Sequence, residues 1–305
     1  MKIQIATAKP FHPDAVKKIE RMTLDSDMEF GLLEKYSEQS ELEEAVKTAD
    51  ALIVRSDKIT SDVLSHAKNL KVIVRAGAGY DNVDLKAAKE KGIIVMNTPG
   101  QNSNAVAELA LGLMFFLARG KFSGKAGTEL KGKSLGIHAY GNVGKHVARI
   151  AQGFGMQVSA FDAFVPFEEI EKDGIKPMES VQELYATSQY ISLHIPSNEQ
   201  TKESINYELL SELPDNAVLV NTARKEVINE SELLKFMDER KDFSFISDIA
   251  PNCKDEIEKK YPDRSFFTPK KMGAQTAEAN INAGVAAASQ IINFFENNDT
   301  TFQVN

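Results

Sequence analysis

Short runs rich in aliphatic and β-branched residues alternate with helical patterns from one end of the chain to the other. They are QIATA, ALIVRS, KVIVRAG and IIVMNT in the first hundred residues, then SLGIHAY, QVSAFD, YISLHI, AVLVNTA and FSFISDI. A strand that returns to its neighbour through a helix must pair in parallel, and right-handed crossovers then lay helices over both sheet faces. Strands covered on both faces read as unbroken apolar runs rather than alternating ones, as these do. The alternation therefore predicts an α/β chain with two doubly wound parallel sheets. The turn-rich stretch NTPGQNS (97–103) ends the first series. The boundaries expected are residues 1–98 for the first domain, completed by 280–305, and 99–279 for the second. Two crossings would leave a cleft between the domains, the usual ligand position in such folds.

Composition narrows the ligand. With 42% hydrophobic residues, 26% charged residues and a net charge of −8, the chain reads as a soluble globular protein with no broad affinity for nucleic acid or anionic membranes. A small-molecule substrate is the expected partner. MKIQIATAKPF reads as a first strand broken by Pro10 rather than as a signal segment, which predicts a cytoplasmic protein. The single cysteine, Cys253, cannot form an intramolecular disulfide or a cysteine-built metal site, and no metal is expected. The longest apolar run, Ala105 to Ala118, falls short of the roughly 20 residues that span a bilayer. It is expected to be a helix lying against the sheet and a partner subunit, giving a homodimer through the second domain.

The strand SLGIHAY leads into GNVGKHVARIAQGFG, which gives Ala139-Tyr140-Gly141-Asn142-Val143-Gly144 at a strand-to-helix junction. This matches a dinucleotide fingerprint whose first glycine is an alanine, tolerable if its φ is negative. Gly141 would let the backbone approach a pyrophosphate at the helix N-terminus, and Gly144 would permit close helix–strand packing. Asp162 ends the next strand, where an acid accepts hydrogen bonds from the adenosine ribose. Ala163 and Phe164 follow it, with no arginine to offset a 2′-phosphate. NAD is favoured over NADP, and the second domain reads as a Rossmann unit.

Four further motifs, VRAGAGYDNVD (74–84), NTPGQNSNAVAELALG (97–112), HIPSNEQT (194–201) and NTARKEVINESEL (221–233), occur in order with ISDIAP and TPKKMGAQTAEA. Together they resemble the D-isomer-specific 2-hydroxyacid dehydrogenases, most closely the D-3-phosphoglycerate dehydrogenases, which implies a flavodoxin-like substrate domain beside the Rossmann domain. The resemblance is to a short form without a serine-sensing extension. It implies that Arg224, in the motif that contains Thr222 and Ala223, binds the substrate carboxylate and carbonyl with its planar fork. By the same resemblance the backbone of Arg75, Ala76, Gly77, Ala78 and Gly79 cradles the carboxylate, and Asp248 accepts from the nicotinamide carboxamide. His194 matches a residue lining the cofactor, with a packing histidine as the alternative.

Two positions depart from the family pattern. The usual proton-transfer histidine falls on Lys271 when counted back from Gly273-Ala274, or on Lys270 when counted from Thr268-Pro269, and the paired glutamate falls on Cys253. Lys271 is preferred because the Gly-Ala turn fixes the geometry, and the chain resembles a lysine-type branch of the phosphoglycerate dehydrogenases. The two changes fit each other chemically. A carboxylate raises a histidine usefully but would push a lysine, already near 10.4, further from the partly neutral state that a base needs. Desolvation and the charge of Arg224 would lower it. Glu226, Glu256 and Glu258 are alternative acidic partners, and two solvated surface lysines are the plain alternative. The segment ARGKFSGKAGTEL (118–130) is shorter than the family pattern.

Arg55, Lys58 and Arg75 follow the ends of the strands ALIVRS and KVIVRAG and resemble a phosphate-binding set. The implied reaction is the oxidation of 3-phospho-D-glycerate with NAD, the entry to serine synthesis. The alternatives are a glyoxylate or hydroxypyruvate reductase, and an NAD-sensing corepressor-like binding protein.

Overall fold

A computed structural model describes every residue from 1 to 305. The chain divides into two compact units, Met1–Asn102 with Ala274–Asn305, and Ser103–Gly273. Both crossings lie a few residues from the boundaries expected, because each falls at or just before the first turn of a helix.

In the first unit β1 (Lys2–Thr7), β2 (Glu29–Glu34), β3 (Ala51–Val54), β4 (Val72–Arg75) and β5 (Ile94–Asn97) form a parallel sheet in the order β2-β1-β3-β4-β5. The crossover helices are α1 (Pro13–Asp25), α2 (Gln39–Val46), α3 (Ser61–His66) and α4 (Leu85–Glu90). Successive strand residues point to opposite faces, so one core holds Ile3, Ile5, Ile53, Val72 and Val74 and the other Ala6, Leu52, Val54, Ile73 and Val95.

The second unit starts with α5 (Ser103–Ala118). Its sheet comprises β6 (Ser134–His138), β7 (Gln157–Phe161), β8 (Lys176–Pro177), β9 (Tyr190–Leu193), β10 (Val218–Asn221), β11 (Ser244–Ser247) and β12 (Ser265–Phe267). All run parallel, in the order β12-β11-β10-β9-β6-β7-β8. The helices are α6 (Asn142–Gly153), α7 (Phe167–Glu171), α8 (Val181–Thr187), α9 (Tyr207–Ser211), α10 (Glu230–Glu239) and α11 (Lys254–Lys260). Finally α12 (Ala277–Asn297), capped by the Thr276 hydroxyl, belongs to the first unit. It packs Ala283, Ala287, Ala288 and Ile291 into the core beside α1.

Strand order reverses at β1/β3 in one sheet and at β6/β9 in the other. These are the two switch points where chain segments part and open a crevice at the strand carboxyl ends. The strands that the sequence did not announce, β2, β8 and β12, are all edge strands, whose side chains are less fully covered. Helix α5 buries Ala107, Ala110, Leu111 and Met114. Its Phe115 and Phe116 meet Phe122, Phe154 and Phe266 in an aromatic cluster that leaves Phe122 64% exposed. No helix is long and apolar enough to cross a membrane.

Candidate active site

In the second unit, the switch point lies between the ends of β6 and β9. Gly141 is the N-cap of α6, no side chain caps that helix, and a Cβ on Gly141 would meet nothing within 4 Å. Unpaired first-turn N–H groups facing open space are what an anionic diphosphate requires. Gly144 is needed for a different reason, since a Cβ there would fall 2.4 Å from the Ala139 carbonyl oxygen. The condition set on Ala139 is not met: its φ is +81°. The turn demands a left-handed residue at this first position, and an L side chain adopts it at a cost. Ala139→Gly is expected to raise stability by about 1 kcal/mol, read as a rise in the urea midpoint without a change in slope; an unchanged or lower midpoint would mean that the turn carries no strain.

The Asp162 carboxylate builds this turn as well as facing it. Its Oδ2 accepts from the Tyr140 N–H at 2.7 Å, and Oδ1 accepts from Phe164 and Val165 at 2.8 and 3.1 Å. Tyr140, expected on the cofactor side, is a fully buried side chain whose hydroxyl donates to Asp173 at 2.8 Å. With its N–H given to Asp162 as well, it serves as an internal brace because its ring has only the core to pack into. The N–H groups of Asn142 and Val143, by contrast, belong to the uncapped first turn of α6.

His138 and His194 sit at the ends of β6 and β9, with the His194 N–H donating to the His138 carbonyl at 2.9 Å. The His194 Nε2 lies 2.9 Å from the Ser192 hydroxyl. Burial holds both imidazoles neutral, His138 down to about 4 and His194, also facing His138, down to about 3. Both bind a proton less readily folded than unfolded. Their contribution to stability is therefore complete above about pH 6.5 and is lost as the pH falls toward those depressed values. Each is expected to steepen the loss by up to about 1.4 kcal/mol per pH unit between pH 6 and 4. Urea midpoints of His194→Asn across that range should fall less steeply than those of the native chain; parallel curves would refute the assignment.

The polar centre lies at the ends of β10 and β11. Asn221 secures the turn after β10, accepting from Ala223 N–H and donating to the Arg224 carbonyl, both at 2.9 Å. The Ala223 carbonyl, thus oriented, meets Arg224 Nη1 at 2.9 Å and Lys271 Nζ at 3.5 Å. Two cations of the expected site converge on one oxygen; Lys270 and Lys271 are both exposed, and it is the Lys271 Nζ that reaches this carbonyl. The Thr222 hydroxyl is buried without a partner.

Asp248 is wholly buried. Its Oδ2 accepts from Gly273 at 2.8 Å and Met272 at 3.3 Å, which fixes the segment that carries Lys271. Thr268 reinforces it, donating to the carbonyls of Asp248 and Lys270. Asp248 Oδ1 has no partner, although a buried carboxylate oxygen is costly to leave unmet. An amide N–H₂ from a ligand would satisfy it. Burial raises this carboxyl above the usual range, against the pull of the Gly273 N–H and the charge of Lys271.

The charge of Lys271 is thus felt by the Asp248 carboxyl. Glu256 and Glu258 pair with Lys260 and Lys254 on α11, and Glu226 is exposed. The acid that faces Lys271 is Asp248, which the sequence reading reserved for the cofactor alone. At the position matching the family glutamate, burial and Glu230 push the Cys253 thiol up to about 12.

In the first unit, Arg55 follows β3 at the other switch point. Its Nη1 donates to the carbonyls of Lys9 and Pro10 at 3.0 and 2.7 Å, and the guanidinium lies over the Phe11 ring. Arg75 Nε donates to the Arg55 carbonyl at 3.0 Å, and its guanidinium crosses the space above Gly77, where a Cβ would come within 1.7 Å. Gly77 also holds φ +145°, so a side chain there would be strained and would displace the Arg75 guanidinium. The loop Ala76–Gly79 is anchored by its carbonyls, Gly77 to the Thr98 N–H and Ala78 to the Asn97 amide. Lys58 is exposed.

Residues 5–305 match the model for the D-isomer specific 2-hydroxyacid dehydrogenase catalytic domain. The chain belongs to this family. A D-3-phosphoglycerate dehydrogenase of Methanocaldococcus jannaschii is 37% identical over 95% of the chain, which spans 57% of that relative's length. A hydroxypyruvate reductase of Thermotoga maritima is 38% identical over 91% of the chain and 95% of its own. Among solved family structures, the NAD⁺-bound 3-phosphoglycerate dehydrogenase of Entamoeba histolytica is 46% identical, with a TM-score of 0.89 over all of this chain and 98% of that one.

Sequence reasoning missed Asn221, Asn97 and Asp57 as organisers of these loops. The only signal available was an amide or acid at the last residue of a strand or within the first few residues after it, a place where loop backbone groups need partners.

Proposed function

We propose that the chain is an NAD-dependent D-2-hydroxyacid dehydrogenase that oxidises 3-phospho-D-glycerate to 3-phosphohydroxypyruvate. The observation that carries this reading is the convergence of Arg224 and Lys271 on the Ala223 carbonyl beside Asp248. It joins a carboxylate-binding fork to an amine able to move a proton.

The residues fit a dinucleotide. The uncapped α6 terminus at Gly141–Gly144 suits the diphosphate, Asp162 the ribose, and the unpaired Asp248 Oδ1 the carboxamide. His194, Thr222 and Ala223 line the same side. NAD, when bound, supplies the acceptor for the C2 hydride. Arg224 binds the substrate carboxylate and polarises the oxygen at C2. Neutral Lys271 takes the hydroxyl proton, and in the reverse direction its ammonium returns it. The charge of Arg224 favours the neutral amine, and that of Asp248 opposes it. The N–H groups of Ala76–Gly79 assist at the carboxylate, and Arg55, Lys58 and Arg75 take the phosphate. The exposed aromatic cluster around Phe122 supports a homodimer through the second unit.

The Thermotoga relative favours a second reading, reduction of hydroxypyruvate. Steady-state rates of the purified chain on 3-phospho-D-glycerate with NAD, and on phosphorylated and unphosphorylated hydroxypyruvate with NADH, separate the two. A higher kcat/KM on phosphorylated substrates supports the proposal, and a preference for unphosphorylated acids overturns it. No turnover on any of them leaves a binding protein.

A further inference from the structure

We infer that Asp57 is the positioning residue that holds Arg55 for the anionic end of the substrate; this rests on the reading of Arg55 as a phosphate ligand. Asp57 lies two residues beyond Arg55, where β1 and β3 part, and is only 8% exposed. Its Oδ1 accepts from the Ala8 N–H and from the Tyr36 hydroxyl, both at 2.7 Å, and its Oδ2 from the Arg55 N–H at 3.3 Å. These donors come from the loops after β1, β2 and β3, so one carboxylate ties together three neighbouring strand ends. Asn82 holds Asp57 in turn, donating to its carbonyl at 2.7 Å and to that of Arg55 at 3.4 Å.

The link to Arg55 runs through the loop that Asp57 anchors. That loop begins at Ala8, and its next two carbonyls, Lys9 and Pro10, are the acceptors of Arg55 Nη1. The following residue, Phe11, lies under the guanidinium and gives its N–H to Glu34 Oε1 at 2.8 Å. With both ends of the loop held by carboxylates, the carbonyls have fixed positions and one side of the guanidinium fork is committed to them. An arginine on its long stem loses much rotamer freedom when ordered. Ordering it beforehand spares the substrate that cost. Asp57 also leaves a negative charge close to Arg55, tolerable because three donors already surround it. An asparagine cannot replace it: one oxygen cannot meet three donors, and its N–H₂ would face the groups left over.

The experiment compares kcat/KM for 3-phosphohydroxypyruvate and hydroxypyruvate, with NADH, in the native chain, Arg55→Ala, Asp57→Asn, Tyr36→Phe and the Arg55→Ala/Asp57→Asn double variant. The preference ratio does not depend on how much enzyme is active, so a merely structural loss does not move it. Asp57→Asn is expected to reduce the ratio about tenfold through KM for the phosphorylated substrate, the scale of one charge-assisted hydrogen bond. Tyr36→Phe, which keeps the other two donors and guards against a variant that fails to fold, is expected to reduce it about threefold. In the Arg55→Ala background Asp57→Asn should cause no further change. Equal losses on both substrates, or an intact ratio in Asp57→Asn while Arg55→Ala abolishes it, would overturn the role of Asp57 and leave Arg55 standing. An intact ratio in Arg55→Ala would overturn the phosphate reading itself, and the inference with it.

Discussion

Lys271→Met is expected to lower kcat by about 10²–10⁴-fold, the usual contribution of a positioned acid or base, with NADH affinity near that of the native chain. Lys270→Met should stay within a few-fold. The contrast follows from geometry. Lys271 Nζ approaches the carbonyl that Arg224 holds, in a segment pinned by Asp248 through the Met272 and Gly273 N–H groups. At Lys270 it is the backbone carbonyl that is engaged, by the Thr268 hydroxyl. Methionine keeps the length and removes the amine, so the loss reports proton transfer rather than packing. NADH binding by fluorescence must be intact for the comparison to count. If Lys271→Met turned over within a few-fold of the native chain, another group would move the proton.

Arg224→Lys should reduce kcat/KM by about two to three orders of magnitude, or roughly 3–4 kcal/mol, despite conserving charge. The guanidinium has one nitrogen committed to the Ala223 carbonyl, and in the proposed mechanism the rest of its planar fork takes the substrate carboxylate. A lysine ammonium cannot make both contacts at once. The effect should appear in KM and kcat together, because the same fork binds the carboxylate and polarises the reacting oxygen. A loss confined to KM would reduce Arg224 to a ground-state anchor.

Much of this site was legible in the chain because its signals are local. A glycine at position 144 announces a close approach that the structure realises against the Ala139 carbonyl, and Arg224 follows the apolar run AVLVN at a strand end. Where reading fell short, the decisive neighbour is distant in sequence. Asp248 keeps the cofactor role proposed on motif grounds, but its hydrogen bonds to the segment carrying Lys271 depend on how the chain after β12 folds back over β11. Ala139 seemed acceptable in a glycine position, yet the backbone angle there is set by the strand and helix on either side. The edge strands β2, β8 and β12 escaped because burial on fewer sides leaves no continuous apolar run, and β8 is only two residues long.

The sequence by itself determined the parallel α/β architecture, since unbroken apolar strands separated by helical patterns have few other ways to bury themselves. It also determined the chemical groups at the strand ends. Only the tertiary structure decided which of those groups meet: the Lys271 Nζ and Arg224 at the Ala223 carbonyl, Asp248 at the backbone of the segment that carries Lys271, and Asp57 at the backbone N–H of Arg55. The reason is that hydrogen bonds and charges act over a few ångströms of space, and sheet order, not chain order, sets which loops lie that close.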